Sequence, residues 1–397
     1  MKKLIIPAIM FFAASNAAAM GNIRFGNLEI NPFVSVEESY DSNIYLEMDA
    51  KNSSMINRTG VGVDLMHKLG SRIDLTGGYT LELLSYDESP STNNAAHNLA
   101  NLGVKVRLPK KMSLTVQDKY ADTTDQATTQ ETDRAERIQN DAKVRFEAPI
   151  RGKFGFALEA AHTYHNYIKV ESLDREELIG GADITYQLKP KTQAMLSYRY
   201  GEMDYNKDTS SAINDYPDST YHNIDVGMVG RIAPKLTGTV KAGVQLREYD
   251  KAPAATVDKN ITTGGYSAQL LWKAVPRTDI MLYARRANVE TRYDNSRFYT
   301  TTLTDLSFSR EVRKVKLTLG ASYEFVEYAE NTSATGIQRE DRNIGARLAA
   351  AYNIQNWLKA GLSFNHKARL SNEANTATGV EFGYRDNIIA GSLKAMF

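Results

Sequence analysis

Val315-Lys316-Leu317-Thr318-Leu319-Gly320-Ala321-Ser322-Tyr323-Glu324-Phe325 alternates from end to end. Odd positions carry apolar side chains and even positions carry polar or small ones. A period of two puts each class on its own face of a β-strand. Arg313-Lys314, just before this run, reads as a tight turn. Seven further short turns flank similar runs: Leu69-Gly70-Ser71, Pro109-Lys110-Lys111, Pro149 to Gly152, Lys189-Pro190-Lys191, Ala233-Pro234-Lys235, Val275-Pro276-Arg277 and Gln355-Asn356. The turns recur about every 41 residues.

Between consecutive short turns lies a longer polar stretch rich in Asp, Asn, Ser, Thr and Glu. Nine such stretches fall near 39–54, 86–94, 121–134, 167–177, 203–218, 250–261, 291–297, 329–340 and 368–382. Such composition suits exposed loops. The runs number eighteen, or sixteen if one hairpin is miscounted, from about Glu29–Glu38 to Asn387–Phe397. Short turn, strand, long loop, strand is the rhythm of an antiparallel up-and-down β-barrel. An even strand count puts both termini on the short-turn side, which predicts periplasmic termini.

A propeller blade needs four short strands per repeat, whereas each repeat here holds two long ones. A sandwich needs a second layer on the apolar face and an uncharged interior. Here the face opposite the apolar one is charged in nearly every strand. That face has to meet water, and the apolar face has to meet something else. Closure in a lipid bilayer satisfies both and leaves no unpaired strand edge. The mature chain holds no apolar run of the ~18–20 residues a membrane helix needs, a test that barrels escape. The full sequence's 22 Tyr residues, against 13 Phe and 2 Trp, suit membrane–water boundaries.

The ends add a location. Lys2 and Lys3 precede an apolar core, Leu4 to Ala14, and Ala17-Ala18-Ala19 supplies a cleavage pattern. Residues 1–19 therefore read as a signal peptide, 20–28 as a short periplasmic segment and 29–397 as an outer-membrane barrel. The chain has no Cys, which excludes a lipoprotein anchor and disulfides. Its basic and acidic side chains balance at 48 to 47, which gives no support to nucleic-acid binding. Phe397 ends an alternating last run and reads as a signal to the outer-membrane barrel assembly machinery. The lipid bilayer and lipopolysaccharide are the other expected partners, and a homo-oligomer is compatible with the pattern.

Sixteen to eighteen strands leave an aqueous interior. The faces turned from lipid then supply candidate pore-lining residues of both signs. The basic ones are Arg107, Lys143, Arg145, Arg199, Arg247, Arg285 and Arg347. The acidic ones are Glu82, Asp141, Glu147, Glu159, Asp183, Asp225 and Asp279. Met281 and Tyr283 share that face. Facing acids and bases set a transverse field, or simply pair across strands. No catalytic motif, cofactor loop or metal set is recognisable, so no enzyme is expected. His162-Thr163-Tyr164-His165 has metal-like spacing, but positions three apart on a strand face opposite ways.

Tyr40-Asp41-Ser42-Asn43-Ile44-Tyr45, after Val34-Ser35-Val36, resembles the N-terminal signature of the outer-membrane β-barrel porin 2 family. Leu246-Arg247-Glu248-Tyr249-Asp250 and Tyr384-Arg385-Asp386-Asn387 are similar in kind. The resemblance implies a porin-like barrel, an outer-membrane location and an association with exopolysaccharide synthesis and export. It implies no catalytic residues. The expected function is a channel for small hydrophilic solutes, extending to saccharides or exported exopolysaccharide. The alternative is a plugged or narrow barrel that serves as an assembly component of an envelope polysaccharide-export system. A rim-site enzyme using His162 or His165 is the third reading.

Overall fold

The computed structural model describes residues 23–48, 51–126, 134–169, 173–205, 216–251, 258–291, 296–331, 338–375 and 380–397. The expected signal peptide, 1–19, lies outside the described residues. The strands follow the alternation. They are β1 Leu28–Asp41, β2 Ser54–Leu69, β3 Ile73–Tyr86, β4 Ala95–Arg107, β5 Ser113–Thr123 and β6 Arg137–Pro149. Next come β7 Phe154–Tyr167, β8 Arg175–Lys189, β9 Thr192–Tyr205, β10 Ser219–Ala233, β11 Leu236–Tyr249 and β12 Asn260–Val275. The last six are β13 Thr278–Glu290, β14 Phe298–Val312, β15 Val315–Asn331, β16 Gln338–Gln355, β17 Leu358–Ser371 and β18 Tyr384–Met396.

Each strand pairs antiparallel with its neighbours in sequence, and β1 pairs with β18 from Phe33↔Met396 to Asp41↔Ile388. The sheet is thus a closed eighteen-stranded barrel, and every strand's backbone groups find partners without an edge. The first strand runs to Asp41, three residues beyond the expected Glu38, and the last starts at Tyr384 rather than Asn387. Both extensions lie in the Asp-x-Asn and Tyr-Arg-Asp-Asn segments, whose polarity masks their pairing. Residues Ile23–Phe25 fold back on Leu28–Ile30. Part of the expected N-terminal segment is therefore a hairpin arm on β1. Among the described residues the only α-helix is the single turn α1, Pro90–Asn93.

The two faces differ in crowding. On the apolar face Val226 is 61% exposed and Leu362 62%, while on the polar face Asp183 and Ser197 are each 1% exposed. A closed cylinder spreads side chains on its convex surface and crowds them on its concave one. The polar face is therefore the inside, and the apolar face meets the lipid. On β7 the apolar face runs from Phe154 to Tyr164, about 34 Å of strand. Tilted near 45°, that gives a band of about 25 Å, the thickness a membrane barrel covers. Aromatic rings edge the band at both ends: Phe154 sits 5.0 Å from Tyr186 near the short turns, and Tyr200 5.3 Å from His222 near the long loops.

The seam between β1 and β18 carries its own fastening. Asp41-Ser42-Asn43 ends β1 and turns against the last strand. Ser42 N donates to Asn387 O at 3.0 Å, and Asn387 N donates to Ser42 Oγ at 2.7 Å. The fully buried Asn43 donates through Nδ2 to Arg385 O (3.0 Å) and Glu47 O (2.7 Å), and its Oδ1 accepts from Glu47 N (3.1 Å). Removing this amide leaves three part-buried backbone groups, Glu47 N, Glu47 O and Arg385 O, without it. Asn43→Ala is expected to cost roughly 2–3 kcal/mol. A lowered urea midpoint for the heat-modifiable gel shift of the folded barrel checks this. An unchanged midpoint contradicts it.

Candidate functional site

The inside of the barrel is built by every second residue of each strand, so its chemistry follows from register. On β6 Lys143, Arg145 and Glu147 point inward, on β7 Glu159, on β8 Asp183 and on β9 Ser197 and Arg199. They form one ladder. Arg145 reaches Asp183 (2.8 Å), Glu159 (3.0 Å) and Glu147 (3.0 Å). Lys143 meets Glu159 at 2.8 Å, and Arg199 meets Asp183 at 2.8 Å and Glu159 at 3.4 Å. The Arg145–Asp183 contact spans two strands, which the concave curvature permits. Gly181 makes room for Arg199, since a Cβ there would overlap its Cδ. The ladder holds as many bases as acids, so it orders the wall without giving it a net sign.

The other expected residues are scattered along the same face. Arg107 pairs with Asp74 near the short turns, and Arg347 with Asp305 (2.8 Å) on the opposite wall. Asp141 accepts from Gln139 at 2.8 Å and borders a recess with Gln117 and Lys119. Asp225 and Arg285 border a recess of about 180 Å³. Asp279 borders another, of about 440 Å³, at the short-turn rim. Arg247 pairs with Glu290 and stacks on the rings of Tyr221 and Tyr249, 4.8 and 5.8 Å from their centroids. Met281 and Tyr283 face Leu271 and Gln269 on β12. His162 and His165 lie toward the long-loop end of β7 on opposite faces, His162 meeting Glu176 at 3.2 Å.

Three constellations went unforeseen. Arg58 on β2 joins Glu82 (2.8 Å) on β3 to Asp125 (3.0 Å), which belongs to the connection after β5. Thr124 N donates to His97 Nε2 at 3.1 Å, which assigns the imidazole proton to Nδ1. From the far end of that connection Arg134 stacks on Tyr86, 4.4 Å from the ring centroid. Both described ends of this connection therefore lean over β2–β4. At the long-loop end of β16, Arg339 grips Asp341 through two bonds of 3.0 and 2.7 Å and stacks on Tyr328 (4.8 Å) and Phe382 (3.9 Å). Arg369 stacks on Tyr384 at 4.8 Å. Elsewhere at the long-loop end Tyr221 on β10 donates to Glu177 on β8 at 2.8 Å, and Arg297, just before β14, meets Glu330 on β15 at 2.7 Å. The Arg339-Glu340-Asp341 spacing carried a signal, because residues two apart share a face.

Burial opposes ionisation of Asp125, but the hydrogen bond and charge of Arg58 outweigh it and hold the carboxyl below its ordinary value. A depressed carboxyl stabilises its contact above the ordinary value and loses it only as pH falls through the lowered one. A spin label at Gln126→Cys is therefore expected to stay immobile from pH 7 down to about pH 4 and to loosen below. Loosening between pH 7 and 6 contradicts this account.

A closed barrel of eighteen strands, apolar outside and charged inside, defines a porin-like protein of the outer membrane. The sequence profile of the family described as "Putative beta-barrel porin 2" matches residues 17–393, and the chain belongs to that family. Solved structures with similar folds are Acinetobacter baumannii OccAB3 (8% identity, TM-score 0.50, covering 94% of this chain and 100% of that one) and the Pseudomonas aeruginosa outer membrane protein opdK (10%, 0.49, 93% and 99%). The FrpB iron transporter of Neisseria meningitidis is similar at 10% identity and TM-score 0.46, over 92% and 81% of the two chains. No curated protein matches the sequence.

Proposed function

We propose that the barrel is a passive channel for small hydrophilic solutes, saccharides among them, and has no catalytic role. The short turns and both termini face the periplasm in this reading, after removal of residues 1–19. The observation that carries it is the continuous charged inner wall of a barrel wide enough to hold water. The lipid bilayer, lipopolysaccharide and the barrel assembly machinery, reading Phe397, are its proposed partners. Liposomes that hold the protein are expected to swell in isosmotic arabinose or glucose and more slowly in raffinose. Swelling indistinguishable from protein-free liposomes overturns the proposal.

A second reading rests on the buried Arg339, Asp341 and Arg369 cluster and the inward lean of Asp125. Both crowd the long-loop end. If they close it, the barrel is a scaffold within an envelope polysaccharide-export assembly, and the same liposomes stay osmotically intact.

A further inference from the structure

The short-turn rim is built almost entirely of positive charge. Its eight connections contain ten basic residues and no acidic one. They include Lys110 and Lys111 after β4, Arg151 and Lys153 after β6, and Arg313 and Lys314 after β14. The nine long connections reverse the balance, with eighteen acidic residues against eight basic by sequence. A chain that is neutral as a whole is therefore polarised along the barrel axis.

The backbone shows that this charge is held at a cost. Tight turns need left-handed residues, and Gly or Asn adopts that conformation with least strain. Gly70 and Gly152 serve two turns in this way, with φ 62° and 61°. At five other turn positions a basic residue takes it instead: Lys110 (φ 57°), Lys111 (63°), Lys235 (63°), Arg277 (62°) and Arg313 (55°). Strain kept by charged side chains in simple turns points to a use for the charge.

The charge also continues inward. Lys105, Lys241, Lys273, Lys316, Lys359 and Lys394 stand on the concave face just above the rim. Lys68, Arg107 and Arg231 share that face and level, and the acids there are fewer: Glu29, Asp64, Asp74, Glu147, Asp279 and Glu311. Lys235, Lys273, Arg277 and Lys316 share one rim recess of about 440 Å³ with Asp279 and Glu311. Lipid headgroups outside the barrel do not reach the inner residues, whereas a solute at the mouth meets both sets.

We propose that the short-turn mouth is a capture site for a polyanionic solute bearing carboxylates, an acidic oligosaccharide being the class that fits. This deepens the channel reading and rests on it. The ring of charge raises the local concentration of such a chain and aligns it with the mouth.

The probe is fluorescent hexagalacturonate, with maltohexaose as its neutral counterpart and the whole barrel in phosphatidylcholine nanodiscs. Saturable binding is expected, uncompeted by maltohexaose and weakened about tenfold by raising salt from 50 to 500 mM. Lys110→Gly, Lys235→Gly, Arg277→Gly and Arg313→Gly combined remove charge while relaxing the backbone, so folding is retained. This variant is expected to bind about tenfold more weakly. No binding, competition by maltohexaose, or equal binding by the glycine variant overturns the proposal. So does a rim that engages only phosphatidylglycerol discs, which would make it a lipid contact. Conductance without hexagalacturonate binding sinks this inference and spares the channel. Binding without conductance sinks the channel, and with it the capture of a solute for passage.

Discussion

Leu319→Arg is expected to cost the folded barrel about 2–4 kcal/mol, while Thr318→Arg, one residue away, is expected to cost little. Leu319 is half exposed on the convex face, in an apolar furrow with Phe308, Leu348 and Phe364. A guanidinium there sits in hydrocarbon near the middle of the apolar stretch Val315 to Phe325, with no water to hydrate it. Thr318 lies between Ser309 and Ala349 on the concave face, beside small side chains and water. One step along a strand thus separates two solvents. Urea unfolding in vesicles, followed through Trp272 and Trp357, measures both costs. Equal costs for the two variants contradict the assignment of inside and outside.

Glu159→Gln combined with Asp183→Asn is expected to shift ion preference toward anions by about tenfold. Both changes keep shape but replace one acceptor oxygen of each carboxylate with an NH2 donor. They leave Lys143, Arg145 and Arg199 facing each other with Glu147, on Arg145, as the ladder's one remaining acid. The wall between β6 and β9 then turns from neutral to positive on the face turned to the barrel interior. The reversal potential across a salt gradient reads the shift. An unchanged potential means that the ladder stands away from the path.

The alternation made most of the architecture legible. Val315 to Phe325 forms β15 with Phe325 and Leu319 on the face assigned by parity, and each of the eight short turns joins two paired strands. The register puts the fourteen charged candidates on the concave face. Parity, however, encodes only a side and not a height along the axis. It does not show that Arg145 and Asp183 stand at one level although a hairpin separates them, or that Asp125 returns to Arg58. Height depends on stagger between strands, which is set by many weak register choices rather than by one motif. Loop contacts were illegible for another reason. Asn43 and Arg134 act through backbone carbonyls and ring faces, which leave no trace in residue type. The Asp41-Ser42-Asn43 segment was recognisable as a signature, but its work as the seam fastening is visible only once β1 and β18 lie side by side.

The charge of the turns was legible throughout, since Lys110, Lys235 and Arg277 were the punctuation by which the strands were counted. Their left-handed backbone was not, because Lys and Arg carry no signal for it. A turn that reads as an ordinary solvated corner proves to hold a charge in a conformation better suited to glycine.

Single-channel recording in planar bilayers tests the central claim most directly, that a water-filled path runs the length of the barrel. The purified folded protein, verified by its heat-modifiable gel shift, is expected to insert with discrete, ohmic conductance steps. A folded, inserted barrel that leaves the bilayer electrically silent contradicts the account.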